Sequence, residues 1–365
     1  MTNFAPRMTT HELHSFQQDA VELLSQLIAT PSVSRDEDRA AAVLAQAMTA
    51  YGLDCRREGN NLWTIAPDYD AERPTLLLNA HIDTVKPVAT WTRDPFRPTI
   101  EGDRLYGLGS NDCGGGLVTL LQVFRILRDQ PGRSYNLIYL ASAEEEVSGR
   151  DGIARALPLL PPVSVAIVGE PTAMQPAVAE KGLMVIDGYA HGVSGHAARE
   201  EGVNAIYEAL DDLCRLRSYR FERVSPLLGP VKMQVTMVEA GTQHNVVPDE
   251  LHFVVDVRTN ELYQNEEAFE LLCQAMERCE LRVRSFRLHS SSIDAAHPLV
   301  QRCLGMGMQP FGSPTLSDQA LMSFPSLKLG PGHSSRSHSA DEYITLTELE
   351  EAIGTYVELL SGLTL

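Results

Sequence analysis

The chain has 365 residues, 44% of them hydrophobic and 21% charged, which is ordinary for a globular protein with a large core and room for two domains. Its formal net charge of −18 argues against nucleic-acid partners and against docking on anionic lipid, since both attract basic surfaces. No apolar run approaches the length of a membrane span, and Met1–Thr10 has no signal-peptide core. The six cysteines are scattered without a CxxC pair, so we expect a reducing, cytoplasmic location and no thiolate zinc site.

The N-terminal part of the chain predicts two helices and a strand pair. The first helix starts near Thr10 and carries one apolar stripe. It ends at Thr30–Ser34, because proline disfavours helix at the residue before it. The second covers Glu37–Tyr51, and Gly52 suits its C-terminal cap. The strand pair follows at 54–57 and 62–66.

Three apolar runs each end on residues that can bind a metal. They are Thr75–Ala80 before His81, Tyr135–Leu140 before Glu144–Glu146, and Val163–Gly169 before Glu170. Short apolar runs that alternate with helical stretches, such as Cys113–Arg128, are typical of buried parallel strands in an α/β fold. In open α/β sheets, ligands bind outside the carboxyl ends of the strands. The pattern therefore predicts a metal site at one sheet edge, as in a metallohydrolase.

The pattern of buried apolar strands gives way to half-exposed alternating strands after Lys181-Gly182 and resumes after residue 293. The intervening elements are strands at 183–190, 231–239, 251–259 and 281–288 and helices at 203–216 and 266–278. Half-exposed alternating strands with two helices predict a separate α+β domain. A strand at Pro325–Gly330 and a helix at Leu346–Leu360 then resume the buried-strand pattern of the first part of the chain. We therefore predict a discontinuous catalytic domain, 1–183 with 294–365, and an inserted domain at 184–293.

His81-x-Asp83 is the first candidate metal-binding pair. Residues two apart in extended chain point the same way, so the Asp83 carboxylate can accept the second ring N–H of His81. On its own, the pair is equally compatible with a histidine whose hydrogen bonds are merely structural.

Asp112 lies among five glycines immediately before a helix, in Gly107–Gly116. Such a loop can cradle phosphate, but no Walker lysine follows and the spacing does not match a dinucleotide fingerprint. A carboxylate held for metals by unusual backbone geometry is the better interpretation.

Glu144-Glu145-Glu146 places three acids at the end of a buried strand. Two unit charges about 4 Å apart repel by about 4 kcal/mol at an effective dielectric of 20, so a cation would stabilise the cluster. A solvated acidic loop is the alternative.

Two histidines, His333 and His338, compete for a ligand role in the loop after the strand at 325–330. Together with His81, the carboxylates of Asp112, Glu170 and one glutamate of the triplet would balance two divalent cations and a bridging hydroxide. Nitrogen and oxygen ligands without thiolate suit zinc, cobalt or manganese.

These motifs, in this order, resemble the acetylornithine deacetylase / succinyl-diaminopimelate desuccinylase family of dinuclear zinc amidohydrolases and exopeptidases. The resemblance covers essentially the whole chain and implies a zinc-exopeptidase-like catalytic domain with a mixed, mostly parallel sheet. It implies that five residues bind two divalent metal ions: His81, Asp112, Glu146, Glu170 and His338. It makes Glu145 the general base and Asp83 the partner of His81. The family has Asp-Glu-Glu where this chain has Glu144-Glu145-Glu146, which leaves a one-residue slip open.

The inserted domain also resembles the family's ferredoxin-like lid and dimerisation domain, so the resemblance implies a possible homodimer. His196, in Gly192–Ala198, matches the loop histidine that stabilises the oxyanion, in cis or in trans. Asn245 and Arg258 match substrate-binding positions, with Arg258 suited to a substrate carboxylate.

The implied activity is hydrolysis of the amide of a small N-acyl amino acid. N-acetyl- or N-succinyl-ornithine, in arginine biosynthesis, is the first expectation. Succinyl-diaminopimelate desuccinylation, or dipeptidase or aminoacylase activity, comes next. A non-catalytic binding protein on the same scaffold is the alternative from a different class.

Overall fold

The computed structural model describes residues 9–199 and 201–365 of the chain. Contacts divide the chain into two compact units. The first runs to Val178 and resumes at Ile293–Phe311 and Ser317–Leu365; the second comprises Ala179–Ser292 and Gly312–Leu316. The sequence placed the first boundary at 183 and predicted no break near 312. The short segment Gly312–Leu316 belongs to the second unit because the Ser313 carbonyl accepts the Lys181 N–H and Gly312 lies against Leu227.

The helices are α1 (Thr10–Ile28), α2 (Asp38–Ala50), α3 (Gly115–Leu127), α4 (Ile153–Ala156), α5 (Ala205–Ser218), α6 (Asn265–Ala275), α7 (Pro298–Gly305) and α8 (Leu346–Leu360). The first nine strands are β1 (Arg56–Glu58), β2 (Asn61–Ile65), β3 (Thr75–His81), β4 (Thr99–Glu101), β5 (Arg104–Tyr106), β6 (Asn136–Ser142), β7 (Val165–Val168), β8 (Ala177–Glu180) and β9 (Met184–His191). The others are β10 (Gly195–His196), β11 (Lys232–Ala240), β12 (Val246–Val247), β13 (Glu250–Arg258), β14 (Glu280–Val283), β15 (Ser291–Ser292), β16 (Phe311–Ser313), β17 (Ser326–Lys328) and β18 (Tyr343–Thr345).

The first unit is built on a mixed sheet with strand order β1-β2-β6-β3-β7-β17-β8. Its centre is parallel, since β3 pairs in parallel with both β6 and β7, and β17 pairs in parallel with β7. The predicted α/β class with a mostly parallel core is confirmed. Because His81 is in register with Ser142, the strands that precede the acidic triplet and Glu170 end at the same edge as β3.

Helix α3 begins later than the sequence predicts. Asp112 and Cys113 have non-helical backbone angles and are joined by a cis peptide, so the regular helix starts at Gly115. A Cβ on Gly116 would lie 1.7 Å from the carbonyl oxygen of Gly169. Only glycine lets the start of α3 approach the end of β7 this closely, and that approach brings the glycine-rich loop to the sheet edge.

The sequence missed a three-stranded sheet, β18-β5-β4, in the first unit. Each strand has only three residues, too few for an alternation to be visible. The pairing of Tyr343 with Tyr106 brings the segment after His338 beside the loop that carries Asp112.

The second unit contains β9, α5, β11, β13, α6 and β14 in a βαββαβ succession. The strand order β11-β13-β9-β14, all antiparallel, is that of a ferredoxin-like fold. Helix α6 ends at Ala275, short of the predicted 278. It stops there because the buried Asp212 carboxylate accepts the backbone N–H groups of Glu277, Arg278 and Cys279. Within the described ranges, no helix has the length and apolar character needed to cross a bilayer.

Candidate metal centre

His81 is the last residue of β3 and is 2% exposed. Its Nε2 atom lies 3.3 Å from Oδ1 of Asp112, 3.7 Å from Oε1 of Glu170 and 3.9 Å from Oε2 of Glu145. One ring nitrogen therefore faces three carboxylates that come from three separate loops at the sheet edge.

Asp83 contacts His81 differently from the prediction. The Nδ1 atom of His81 lies 2.8 Å from the backbone carbonyl of Asp83 and 3.5 Å from its carboxylate. The carboxylate is engaged elsewhere, since it accepts the Ser34 hydroxyl at 2.7 Å and the backbone N–H groups of Glu145 and Glu146 at 3.0 and 3.2 Å. Asp83 thus orients the imidazole through its backbone and holds the acidic turn with its side chain.

The acidic triplet forms a tight turn after β6. Glu144 takes a left-handed conformation (φ 53°), and its N–H donates to the buried carboxylate of Glu37 at 3.1 Å. Two buried acids, Glu37 and Asp83, therefore fix the backbone of this turn. The turn directs Glu145 toward His81 and Glu146 toward His338, at distances of 3.9 and 2.9 Å.

Glu170 follows β7 and is mostly buried. Its Oε1 atom is buried without a hydrogen-bond partner, although it lies 3.7 Å from His81. Burial, together with the nearby Asp112 carboxylate, raises the pKa of Glu170 to about 8. A buried carboxylate oxygen without a partner is costly unless a proton or a cation is present.

His338, and not His333, reaches the acidic cluster. The Nε2 atom of His338 lies 2.9 Å from Glu146 and 3.6 Å from Asp112, and its backbone is left-handed (φ 57°). The hydrogen bond to Glu146 raises the pKa of His338 to about 9. By contrast, the backbone of His333 pairs with the side chain of Asn111.

The shifted pKa values in the cluster indicate that a cation would stabilise its carboxylates. Burial, with Glu170, Asp318 and Glu146 nearby, raises the pKa of Glu145 well above its ordinary value. Burial alone would lower the pKa of His81, but Cys113 and the hydrogen bond to Asp112 help to raise it well above the usual value. Without metal, protons offset the repulsion between the carboxylates.

The donor set fits the metals that the sequence predicts. Ligand atoms of His81, Asp112 and Glu146 lie within 4.8 Å of one another, as do those of His81, Cys113 and Glu170. The unpartnered oxygen of Glu170 and the packing of several carboxylates around one imidazole are what a divalent-cation site requires.

The three remaining predicted residues lie in the second unit. The exposed His196 is in β10, which pairs with β12, and its Nδ1 accepts the N–H of Ala198 at 3.1 Å. The carbonyl of Asn245 accepts the N–H of Ala197. Arg258 forms a two-point ion pair with Asp256 at 2.8 and 3.0 Å.

Four further groups lie around the metal centre and were not predicted from the sequence as site residues. They are the buried carboxyl groups of Glu37, Asp318 and Glu342 and the buried thiol of Cys113. Asp318 accepts the Ser142 hydroxyl at 2.5 Å, and burial raises its pKa to about 7. The only available signal was position, since Glu342 and Cys113 both lie inside motifs that point to the site.

The chain matches the sequence profile of Peptidase family M20/M25/M40 over residues 77–362, which is well over half of its length. It belongs to this family. The resemblance inferred from the motifs is thus confirmed, and the protein is a metal-dependent hydrolase of the amidohydrolase and peptidase type.

Two similar proteins are succinyl-diaminopimelate desuccinylases. That of Stenotrophomonas maltophilia is 26% identical, with 94% of this chain and 98% of the relative covered. That of Delftia acidovorans is 28% identical, with 65% and 66% covered.

The fold is shared with solved structures at lower identity. A tripeptidase from Staphylococcus aureus is 20% identical with a TM-score of 0.74, covering 94% of this chain and 97% of that one. A dinuclear metal-binding M20 peptidase from Bacillus subtilis is 16% identical with a TM-score of 0.73, covering 95% and 98%.

Proposed function

We propose that the protein hydrolyses the amide bond of an N-acyl amino acid, with Glu145 as general base beside two divalent cations. The observation that carries this proposal is the convergence of His81, Asp112, Glu170 and the Glu145–Glu146 pair on one buried sheet edge. His338 joins them through Glu146.

The residues divide into ligands and a base. We assign His81, Asp112, Glu146, Glu170 and His338 to two metal ions, with zinc first and cobalt or manganese as alternatives. When bound, such ions lower the pKa of water and polarise an acyl oxygen. The contact of Glu146 with His338, at 2.9 Å, supports a ligand role for Glu146 and leaves Glu145 as the base.

The position of Glu145 is suited to proton transfer. Its carboxylate is mostly buried, and its N–H is held by Asp83, so its backbone position is fixed. A carboxylate whose pKa is raised can take a proton from water and return it to the leaving amine.

The ring of His196 is suited to donate a hydrogen bond to an oxyanion. Because its Nδ1 accepts the Ala198 N–H, the neutral ring carries its proton on Nε2, which is then free to donate. Removing one such donor typically costs about 2.7–4 kcal/mol of transition-state stabilisation. We assign Arg258 and Asn245 to substrate binding; Arg258 would exchange Asp256 for a substrate carboxylate.

For the substrate, N-acetyl- or N-succinyl-ornithine in arginine biosynthesis remains our first proposal, on the strength of the motif resemblance. N-succinyl-diaminopimelate is the second candidate, because two similar proteins are named as desuccinylases of that compound. Dipeptide cleavage is a third activity within the family.

A panel of these substrates, assayed with and without added zinc or cobalt, tests the proposal. We expect turnover of an N-acyl amino acid that disappears on chelation and returns with metal. Activity on dipeptides alone would overturn the deacylase assignment, and a chain that binds no metal and cleaves nothing would favour a non-catalytic scaffold.

We also propose a cytoplasmic homodimer formed through the second unit, which would serve as a lid and dimerisation domain. All six cysteines are free, as expected in a reducing compartment. The edge strand β11 exposes Met237 and Val238, and α5 exposes Tyr207 (71%) and Leu210. Exposed apolar edges of this kind are typical of interfaces. A monomeric mass in solution would overturn the dimer.

A further inference from the structure

Glu342 is a buried acid whose carboxylate contacts the backbone of the loop that contains Asp112. It lies four residues after His338 and is 2% exposed. Its Oε1 atom accepts the backbone N–H groups of Asn111 and Asp112 at 2.8 and 2.9 Å, and its Oε2 accepts that of Gly109 at 3.1 Å. One carboxylate therefore satisfies three N–H groups of the loop that presents Asp112.

A second side chain joins the same two segments from the other direction. The Oδ1 of Asn111 accepts the N–H of His333 at 2.9 Å, and its Nδ2 donates to the carbonyl of His333 at 3.1 Å. The Gly107 N–H also donates to the carbonyl of Glu342. The loop before Asp112 and the segment around His338 are thus tied together at both ends.

The segment that carries His338 needs such a support. Both His338 and Asp341 have left-handed backbones, with φ of 57° and 53°. Non-glycine residues adopt this conformation only where surrounding contacts hold it. The carboxylate of Asp341 accepts the N–H groups of Thr92 and Arg93. The adjacent Glu342 anchors the chain to the loop that contains Asp112.

We propose that Glu342 is a positioning residue that sets the spacing of Asp112 and His338 and so determines the affinity of the site for divalent cations. The proposal rests on the metal-ligand assignment made under the proposed function. Partners that orient metal ligands from outside the coordination sphere typically contribute 10–100-fold in metal affinity.

Glu342→Gln and Glu342→Asp separate positioning from charge. The amide retains the length but places a donor against one backbone N–H, whereas aspartate retains the charge but is one methylene too short. We expect both to weaken zinc binding by about 10–100-fold, measured by competition with a chromophoric chelator.

Asp212→Asn is the matched control. Asp212 is likewise fully buried and accepts three backbone N–H groups, from Glu277, Arg278 and Cys279, but none of them belongs to a segment carrying a proposed ligand. The control should unfold more easily, with its zinc affinity within about twofold of wild type.

Each outcome has one meaning. Wild-type zinc affinity in both Glu342 variants would overturn the positioning role, as would loss in Glu342→Gln with retention in Glu342→Asp, which would indicate charge alone. If neither variant folds, Asn111→Ser removes the second tie and should weaken zinc binding in the same direction; unchanged affinity there would also overturn the inference. A wild-type protein that binds no zinc would instead overturn the proposed function.

Discussion

The acids around His81 in the first compact unit differ from the buried Asp212 in the second. In the first, Asp112, Glu145 and Glu170 lie within 3.9 Å of the single ring nitrogen of His81, and Glu170 keeps an unpartnered oxygen. In the second, Asp212 accepts three backbone N–H groups and an ion pair from Arg215. Asp212 stabilises the fold in its charged form, whereas the charged forms of Glu145 and Glu170, whose pKa values are raised, destabilise it until a cation binds.

The contrast shows how a site differs from a structural ion pair. Asp187 receives a two-point ion pair from Arg284 and a contact from His252, so its charge is compensated within the unit. Burial and neighbouring carboxylates raise the pKa values of Glu145 and Glu170, so the charged form of each is poorly compensated. These raised pKa values are what make the sheet edge a candidate for chemistry.

The largest expected effect comes from the proposed base. Glu145→Gln should lower kcat by about 10²–10⁴-fold while metal content stays at the wild-type level, because a general base is lost and a ligand is not. Steady-state kinetics with metal analysis measures both. Glu144→Gln, in the same turn, is the control and should keep most of the activity. Loss of metal in Glu145→Gln would exchange the roles of Glu145 and Glu146.

Two substitutions that should change the melting temperature in opposite directions test the difference between the two kinds of acid. In metal-free protein near pH 7, Glu170→Gln should raise the melting temperature. Folding raises the pKa of this carboxyl group to about 8, which costs stability at that pH, and the amide of similar shape does not titrate. Asp212→Asn should lower it, because three backbone N–H groups lose a charged acceptor. Differential scanning calorimetry after chelation gives both values. A lower melting temperature for Glu170→Gln would mean that this acid is compensated after all.

The smallest expected effect is the pH dependence of the Asp187 pair. The hydrogen bond from Arg284 lowers the pKa of Asp187 to about 2. A lowered pKa contributes stability above the unfolded-state value of about 4, and that contribution is lost as pH falls toward 2. Asp187→Asn should therefore reduce the free energy of unfolding by about 1 kcal/mol between pH 5 and 7. In urea titrations, this difference should shrink below pH 4; a constant difference would assign the effect to packing.

The sequence alone was enough to predict which strands end at the site. The runs before His81, Glu144 and Glu170 appear as β3, β6 and β7, adjacent and parallel, because continuous apolar runs that alternate with helices can be buried in few other ways. The residues that could bind metal were visible for the same reason, since acids at the ends of buried strands need a partner.

Only the tertiary structure decided how those residues are held. Glu342 reaches the Asp112 loop across more than two hundred residues, and the Asp83 carboxylate binds the acidic turn in preference to the ring of His81. The choice of His338 over His333 depends on a left-handed backbone and on the pairing of Asn111 with His333. Periodicity and local spacing report which residues are buried and where strands end. Hydrogen bonds between distant loops leave no such pattern, because any acid of the right length can make them once the fold has brought the loops together.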